Sequence, residues 1–303
     1  MTDFSAIIGE KIAWFKRLGV SIDRMVHLLQ GTPPEKLVED APVYLRKDLP
    51  EVPYIPKSQT HELKTLEVHN LTYRFPESGR GIEGINLHLT QGGFVVITGR
   101  VGSGKSTLLQ TLLGLLPPQS GEIYWNGSLV TEPGEFFVPP RSAYTSQVPL
   151  LFSESLQSNI LLGNPEDRVN LQKAIEMAVL ETDLGEIPGG LTAQIGAKGV
   201  KLSGGQRQRV AAARIFVRQA SLLVLDDISS ALDTETEKEL WKRLFEFQKD
   251  ATCLEVSHRK PALQRADQII LLKEGRIDGV GKLEDLLQGN SEMQKLWHGD
   301  FNG

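Results

Sequence analysis

The sequence contains little of several features that would each point to a class of function. Only one cysteine occurs among 303 residues, so no internal disulfide can form and a reducing compartment is permitted. That residue, Cys253, lies in an apolar stretch and is expected to be a small core residue. The net charge is −5 and Lys and Arg form no block, which argues against a nucleic-acid clamp or an electrostatic membrane anchor.

Long apolar runs are also missing. Charged residues interrupt the first twenty positions at Asp3, Glu10, Lys11 and Lys16, and the apolar centre of a secretory signal is absent there. No stretch approaches the roughly 20 apolar residues that a spanning helix requires. We therefore expect that the chain as given does not cross a membrane. Its length suits one ordinary core with a smaller satellite domain.

The N-terminal part has a helical pattern followed by a proline-rich stretch. Apolar residues recur at helical spacing from Phe4 to Phe15, and Ser21 is expected to cap a second helix that Gly31 ends. Residues 31–63 are rich in proline and have no period, which is typical of a linker. We therefore expect a helical segment at 1–30 that packs somewhere other than the domain that follows.

From about residue 64 onward, short apolar runs alternate with helical patterns. Strands are predicted at 66–75, 85–90, 94–99, 122–127, 222–227, 252–256 and 268–277. Helices are predicted at 105–116, 171–180, 206–219 and 236–248. This alternation predicts an α/β domain with a mainly parallel central sheet.

The strongest chemical signal is the stretch GRVGSGKST, which follows a predicted strand and opens a predicted helix. It fits the pattern G-x-x-x-x-G-K-[ST] of a phosphate-binding loop, in the context that this pattern requires. Backbone N–H groups of such a loop, together with the helix N-terminus, bind phosphate oxygens. Lys105 is expected to reach the β and γ phosphates, and Ser106 to supply an oxygen to Mg²⁺. The loop consists of Gly99, Arg100, Val101, Gly102, Ser103, Gly104, Lys105, Ser106 and Thr107.

Two adjacent carboxylates end another apolar strand. After a phosphate-binding loop, such a strand delivers a carboxylate to the metal, so Asp226 is expected to be a Mg²⁺ ligand. Asp227 would then lie one step closer to an attacking water. The alternative is that Asp227 only caps the turn that follows.

A second glycine turn, in LSGGQRQRV, also precedes a helix. Ser203, Gly204, Gly205 and Gln206 therefore form another helix start that favours anions. With two phosphate-binding turns in this order, the sequence resembles the nucleotide-binding domain of an ATP-binding cassette (ABC) protein. The resemblance implies that the second turn closes over a nucleotide held by the opposite subunit of a head-to-tail dimer.

The resemblance also implies a fold, a cofactor and further site residues. The fold would be a P-loop NTPase core, an antiparallel β subdomain and a helical signature subdomain at about 148–218, all within a cassette at 64–298. The ligands would be ATP and Mg²⁺. Gln147 resembles the glutamine that senses Mg²⁺ and contacts the membrane domain, His258 the histidine that contacts the γ phosphate, and Asp233 the aspartate that acts across the dimer. Phe75 resembles the aromatic residue that stacks on adenine, with Tyr73 as the alternative.

The stretch LFSESLQSNILLG, from Leu151 to Gly163, resembles a segment typical of exporter cassettes. Residues 1–30 resemble the cytoplasmic end of an exporter's last transmembrane helix, and a self-contained amphipathic helix is the alternative. This resemblance implies association with the cytoplasmic face of a membrane through a transmembrane domain, with no nucleic-acid partner.

Two departures from the exporter pattern are present. Residues 193–199 lack both acidic positions of the usual T-E-V-G-E-x-G stretch, which puts coupling contacts through that loop in doubt. Asp227 stands where the family normally has Glu, so its reach is shorter by on the order of 1 Å, and such a displacement can cost about a hundredfold in rate. We therefore expect Asp227 to be a poor catalytic base.

With Asp in this position, the chain resembles one subunit of heterodimeric exporters that pair a weak site with a competent one. Retention of His258, in contrast, favours the homodimer. Two other functions remain open. One is a soluble cassette ATPase acting on DNA or ribosomes, which the spacing of about a hundred residues between Lys105 and Ser203 disfavours in its DNA-repair form. The other is a regulatory subunit that binds ATP without useful turnover.

Overall fold

The computed structural model describes residues 2–28, 35, 54–196 and 201–299. The chain divides into two compact units, residues 1–51 and 52–303. Within the first unit, helix α1 runs without interruption over Thr2–Leu28. The prediction that Ser21 caps a second helix is wrong, because its hydroxyl donates to the carbonyl oxygen of Arg17 at 3.1 Å inside the continuous helix. Gly31 and most of the predicted linker lie outside the described residues.

Many large apolar side chains of α1 are exposed, including Trp14 and Phe15. Even so, within the described ranges no helix combines the length and apolar character needed to cross a bilayer. Helix α1 is thus long and combines much exposed apolar surface with several charged residues.

The second unit contains two sheets within its described residues. The strands are β1 Thr65–Arg74, β2 Gly81–Thr90, β3 Phe94–Thr98, β4 Ser120–Trp125, β5 Ser128–Leu129, β6 Ser142–Thr145, β7 Leu222–Asp226, β8 Thr252–Val256, β9 Gln268–Lys273 and β10 Arg276–Gly281. A four-stranded antiparallel sheet has the order β2-β1-β4-β5, and a six-stranded sheet has the order β10-β9-β3-β8-β7-β6. In the larger sheet every pair is parallel except β9 with β10.

Helices connect and cover the strands of the larger sheet. They are α2 Lys105–Leu112, α3 Pro133–Phe136, α4 Leu156–Leu161, α5 Leu171–Met177, α6 Glu181–Glu186, α7 Gly204–Phe216, α8 Thr234–Phe247, α9 Lys260–Arg265, α10 Leu283–Gly289 and α11 Ser291–His298. Both faces of the central strands are therefore covered, which explains why β3, β7 and β8 are buried over their whole length.

The core consists of two clusters on opposite faces of the central sheet. Alternate residues of β7 divide between them: Leu223 and Leu225 join a cluster with helices α4, α5, α7 and α8, whereas Leu222 and Val224 join one with α2 and the antiparallel sheet. Cys253 is fully buried in the first cluster, as predicted. The predicted α/β class with a mainly parallel central sheet is confirmed.

One strand prediction is wrong, and one strand of the larger sheet was not predicted. The stretch 268–277 is not one strand, because β9 and β10 form a hairpin whose turn residues Glu274 and Gly275 both have positive φ, +49° and +79°. Positive φ at both central residues is the geometry of a type I′ hairpin turn. The short strand β6, which pairs with β7 in parallel, is absent from the sequence prediction.

Candidate nucleotide-binding site

The phosphate-binding loop joins the end of β3 to the start of α2. Two of its glycines are required by their surroundings. A Cβ on Gly99 would lie 2.2 Å from the carbonyl oxygen of Leu272, and Gly104, the N-cap of α2, has a φ of +100°. The loop also packs on the β9–β10 turn, where the N–H of Gly275 donates to the carbonyl oxygen of Ser103 at 3.0 Å.

Lys105 is held by the loop that precedes it. Its Nζ donates to the carbonyl oxygens of Gly99 and Arg100, both at 2.8 Å. Burial lowers the pKa of this ammonium, and the negative charges of Asp226 and Asp227 oppose that shift. The cation therefore lies within the turn whose N–H groups are expected to bind phosphate.

Asp226 is the last residue of β7, and its side chain is buried at the C-terminal edge of the sheet. Burial raises the pKa of this carboxyl. The charge of Asp227 adds to the increase, whereas a hydrogen bond from Ser106 opposes it. Ser106 and Asp226 thus bring a hydroxyl and a carboxylate together, and oxygen donors of this kind fit Mg²⁺.

Magnesium sites commonly take one or two protein oxygens and complete the shell with water and substrate phosphates. The described part of the chain contains no group of three or more His, Cys, Asp or Glu side chains placed to hold a metal ion. This agrees with the small number of protein ligands that is usual for magnesium. The residues present fit a magnesium ion bound together with a phosphate.

Asp227 has a backbone conformation that is uncommon for a residue with a side chain, with φ at +55°. Its N–H donates to the carbonyl oxygen of Val256 at 2.9 Å, and its Oδ2 accepts from Nε2 of Gln147 at 3.3 Å. Its other oxygen, Oδ1, is buried and has no hydrogen-bond partner among the described residues. The side chain does not cap the following turn, so one carboxylate oxygen remains available for a further donor.

One cavity of about 380 Å³ brings most of the predicted residues together. Its lining includes Phe75, Val101, Gly102, Gly104, Lys105, Ser106, Thr107, Gln147, Asp226, Asp227 and His258. Ser78, Arg80, Gly81 and Val256 also line it and were not predicted. Of these, Arg80 adds a cation from the loop between β1 and β2, where no motif in the sequence marks it.

The two candidate aromatic residues have different environments. Phe75 is 38% exposed and lines the cavity, whereas Tyr73 is 9% exposed and belongs to the core. Their rings meet edge to face with centroids 5.0 Å apart. Phe75 thus has the free ring face that stacking on a base requires, and Tyr73 supports it from behind.

The second glycine turn lies elsewhere. Ser203 is exposed and caps α7, with its Oγ accepting from the N–H of Gln206 at 3.1 Å while Oε1 of Gln206 accepts from the N–H of Ser203 at 2.9 Å. Asp233 is likewise exposed and caps α8, where the N–H groups of Glu235 and Thr236 donate to it. Neither Asp233 nor any residue of 203–206 is among the described residues that line the cavity.

Hydrogen bonds link α7 to Asp227 and the turn that follows it, and the sequence analysis did not predict them. Gln208 is buried, and its Nε2 donates to the carbonyl oxygen of Asp227 at 3.3 Å and to Oγ of Ser230 at 2.6 Å. Its Oε1 accepts from the N–H of Ala231 at 2.7 Å. Its position, two residues after Gln206 on a helix that begins with glycine, is the only sequence signal that could have indicated it.

The site combines a strand followed by a glycine loop that holds a lysine with a strand-end carboxylate beside a helix-start hydroxyl. This combination defines a P-loop nucleotide-binding protein. Residues 82–230 match the family profile described as ABC transporter. The chain belongs to the ABC transporter family, and its second unit is an ATP-binding ATPase domain of that family.

Similar proteins are described as transporters. The chain is 36% identical over 241 residues to an ATP-dependent lipid A-core flippase of Alkalilimnicola ehrlichii, a match that covers 78% of this chain and 41% of the flippase. It is 33% identical over 237 residues to the glutathione/L-cysteine transport system ATP-binding/permease protein CydD of Bacillus subtilis, again covering 78% and 41%. A solved structure of a bacterial Atm1-family ABC exporter with ATP bound matches with a TM-score of 0.71 and 25% identity, over 85% of this chain and 44% of that one. The chain therefore spans less than half the length of these relatives.

Proposed function

We propose that this chain is the ATP-hydrolysing cassette of an ABC exporter, and that ATP-driven association with a second cassette moves a membrane domain. One observation carries the proposal: the cavity that contains Lys105, Asp226 and Asp227 does not include Ser203 among its described lining residues. A second cassette would bring its own serine–glycine turn to that cavity. The transport names of the relatives support this role over a soluble ATPase acting on DNA or ribosomes.

The residues of the cavity would each have a role toward ATP. Phe75 would stack on the base, and the loop from Gly99 to Thr107 would surround the phosphates, with Lys105 neutralising part of their charge. Ser106, Asp226 and Gln147 would hold Mg²⁺, which when bound withdraws charge from the phosphate oxygens. In the partner's site, Ser203, Gly204, Gly205 and Gln206 would face the nucleotide, and Asp233 would act across the interface.

Asp227 would orient the attacking water. Its unpartnered Oδ1 would accept the proton of that water, while Gln147 holds Oδ2 by the 3.3 Å hydrogen bond. His258, which is exposed at the same cavity, would contact the γ phosphate. Because Asp is shorter than Glu, we further propose that this chain supplies the slower of two unlike sites.

The domain divisions are part of the proposal. Residues 1–30 would be the cytoplasmic end of a transmembrane-domain helix, 31–63 a linker and 64–298 the cassette, with a helical subdomain at about 148–218. Helices α4, α5, α6 and α7 within that range support the subdomain. On this proposal the cassette lies at the cytoplasmic face of a membrane.

Two measurements test these proposals. Equilibrium binding of Mg-ATP to the purified chain tests the site itself, and absence of binding would overturn the whole assignment. Co-purification of the tagged chain from membranes tests the assembly. Recovery with a second, different cassette subunit is expected, whereas recovery of this chain alone as a symmetric dimer would overturn the two-site version.

A further inference from the structure

The C-terminal helix α11 makes a direct contact with the phosphate-binding loop. Nε and one terminal nitrogen of Arg100 both donate to the carboxylate of Glu292, so the guanidinium binds it through two atoms. The Glu292 side chain is 7% exposed and that of Arg100 is 37% exposed. A carboxylate so buried requires a partner, because an unpaired buried charge is strongly unfavourable. This pair joins positions separated by 192 residues.

The backbone around Glu292 is held in place by hydrogen bonds and by core packing. Glu292 lies in the first turn of α11, where the N–H of Met293 donates to Oδ1 of Asn290 at 2.9 Å. The amide of Asn290 in turn donates to the carboxylate of Asp278 in β10 at 2.8 Å. The next residue, Met293, is fully buried in the core. The carboxylate that binds Arg100 is therefore anchored to the central sheet.

The main chain of Arg100 also positions Lys105. Its carbonyl oxygen accepts from Nζ of Lys105 at 2.8 Å and from the N–H of Ser103 at 3.1 Å. Holding the side chain of Arg100 in place therefore also holds the Arg100 carbonyl oxygen that accepts from Nζ of Lys105.

The same helix also contacts the start of α9, the helix that follows His258. Nζ of Lys260, the first residue of α9, lies 4.8 Å from the ring centroid of Trp297. Lys260 follows His258 by two positions, so α11 contacts both the loop that holds Lys105 and the segment that follows His258.

We propose that Glu292 is a positioning residue for nucleotide binding, acting through Arg100 to hold the phosphate-binding loop in the shape that receives the phosphates. The proposal rests on the proposed ATP site. Without the Glu292 carboxylate the loop would sample other conformations, and binding would then include the cost of ordering it.

The test is a set of variants in the full chain: Glu292→Gln, Arg100→Gln and the double variant, with Glu284→Gln as the matched control. Glu284 is an exposed acid of α10, and none of the described residues forms a salt bridge with it. Affinity for Mg-ATP is measured by equilibrium binding, affinity for Mg-ADP in parallel, and the thermal midpoint by calorimetry.

Glu292→Gln is expected to weaken Mg-ATP binding about tenfold, equivalent to about 1.4 kcal/mol, while Glu284→Gln binds like the parent. The double variant is expected to bind no more weakly than the weaker single variant, because both changes remove one interaction. Additive losses, or unchanged affinity in a folded Glu292→Gln variant, would overturn the inference. If the parent chain itself fails to bind Mg-ATP, that result overturns the proposed function and not the role of Glu292 alone. If Glu292→Gln lowers the midpoint so far that little folded protein remains, the double variant decides, because it leaves no charge of the pair unpaired; it must show the tenfold loss while remaining folded.

Discussion

The amide of Gln147 donates from Nε2 to Oδ2 of Asp227 across 3.3 Å, so the segment after β6 contacts the acid that follows β7. The bond occupies one oxygen of Asp227 and leaves Oδ1 without a partner among the described residues. Gln147 is also expected to approach the metal. A change at the metal would therefore reach Asp227 through a single side chain.

The length of Asp227 can be tested directly. Asp227→Glu is expected to raise the single-turnover rate of ATP hydrolysis by about tenfold to a hundredfold, because the added methylene restores on the order of 1 Å of reach. Asp227→Asn should lower the rate, since an amide cannot accept the proton. The rate is measured as phosphate release with the partner cassette present, and Mg-ATP affinity serves as the control that both variants still bind. Equal rates for Asp and Glu would show that side-chain length does not limit this site.

Lys105 offers a test of the phosphate-binding loop. Lys105→Ala is expected to weaken Mg-ATP binding by about tenfold or more, because a charge-assisted hydrogen bond contributes about 1.5–3 kcal/mol. Lys238→Ala is the control, since Lys238 is 57% exposed and pairs only with Glu235 among the described residues. Equilibrium binding of a fluorescent ATP analogue reports both. Equal affinity for the two variants would show that Lys105 does not reach the phosphates.

Ser203 has two separable roles, one in capping α7 and one in facing the partner's nucleotide. Ser203→Ala removes the cap and is expected to cost about 1 kcal/mol, or about 2–4 °C in the thermal midpoint. Ser203→Asp keeps a good N-cap acceptor but places a negative charge toward the triphosphate. It should therefore melt like the parent and fail to associate when ATP is added, as seen by light scattering after size exclusion. ATP-driven association of Ser203→Asp at the parent's level would contradict the head-to-tail arrangement.

A buried acid in β8 makes stability depend on pH. Both carboxylate oxygens of Glu255 are buried and have no partner among the described residues. Burial raises its pKa well above 4.5, the charges of Glu237, Asp227 and Asp226 add to this, and Arg259 opposes it. Above pH 4.5 the folded protein therefore holds a proton that the unfolded chain releases, so this group's contribution to stability falls as pH rises toward the raised pKa.

Glu255→Gln should remove that contribution. We expect a higher thermal midpoint than the parent at pH 8 and a smaller difference at pH 5, measured by calorimetry across this range. Glu237→Gln is the contrasting variant, because Glu237 is buried but bonded to Ser229 and Arg259. It should be less stable than the parent at both pH values. Parallel pH profiles for Glu255→Gln and the parent would contradict the assignment.

The parts that the sequence predicted are those in which a local pattern fixes local geometry. The glycine turn between β3 and α2 and the strand that ends at Asp226 each need only a few consecutive residues, and both elements occur at the predicted positions. The parallel arrangement of β3, β7 and β8 likewise follows from short apolar runs separated by helices.

The errors have equally physical causes. The β9–β10 turn uses Glu274 at positive φ, where Asn or Asp is the usual signal, so the hairpin was not recognised. Strand β6 has only four residues, three of which carry a hydroxyl group, and shows no alternation of apolar and polar residues. In α1, Ser21 satisfies its hydroxyl within the helix, which a cap pattern cannot distinguish from a helix start. The bond from Gln208 to the carbonyl of Asp227 depends on packing between distant elements, which the position of Gln208 two residues after Gln206 does not specify.

The hydrogen bonds of the Lys105 ammonium affect which molecules the loop can bind selectively. Its ammonium already has two main-chain oxygens, from Gly99 and Arg100. An incoming molecule must compete with both, and only a polyanion has the charge to draw the ammonium away. A nucleoside such as adenosine could stack on the aromatic face yet leave the lysine where it is, so these two hydrogen bonds favour phosphorylated over unphosphorylated metabolites.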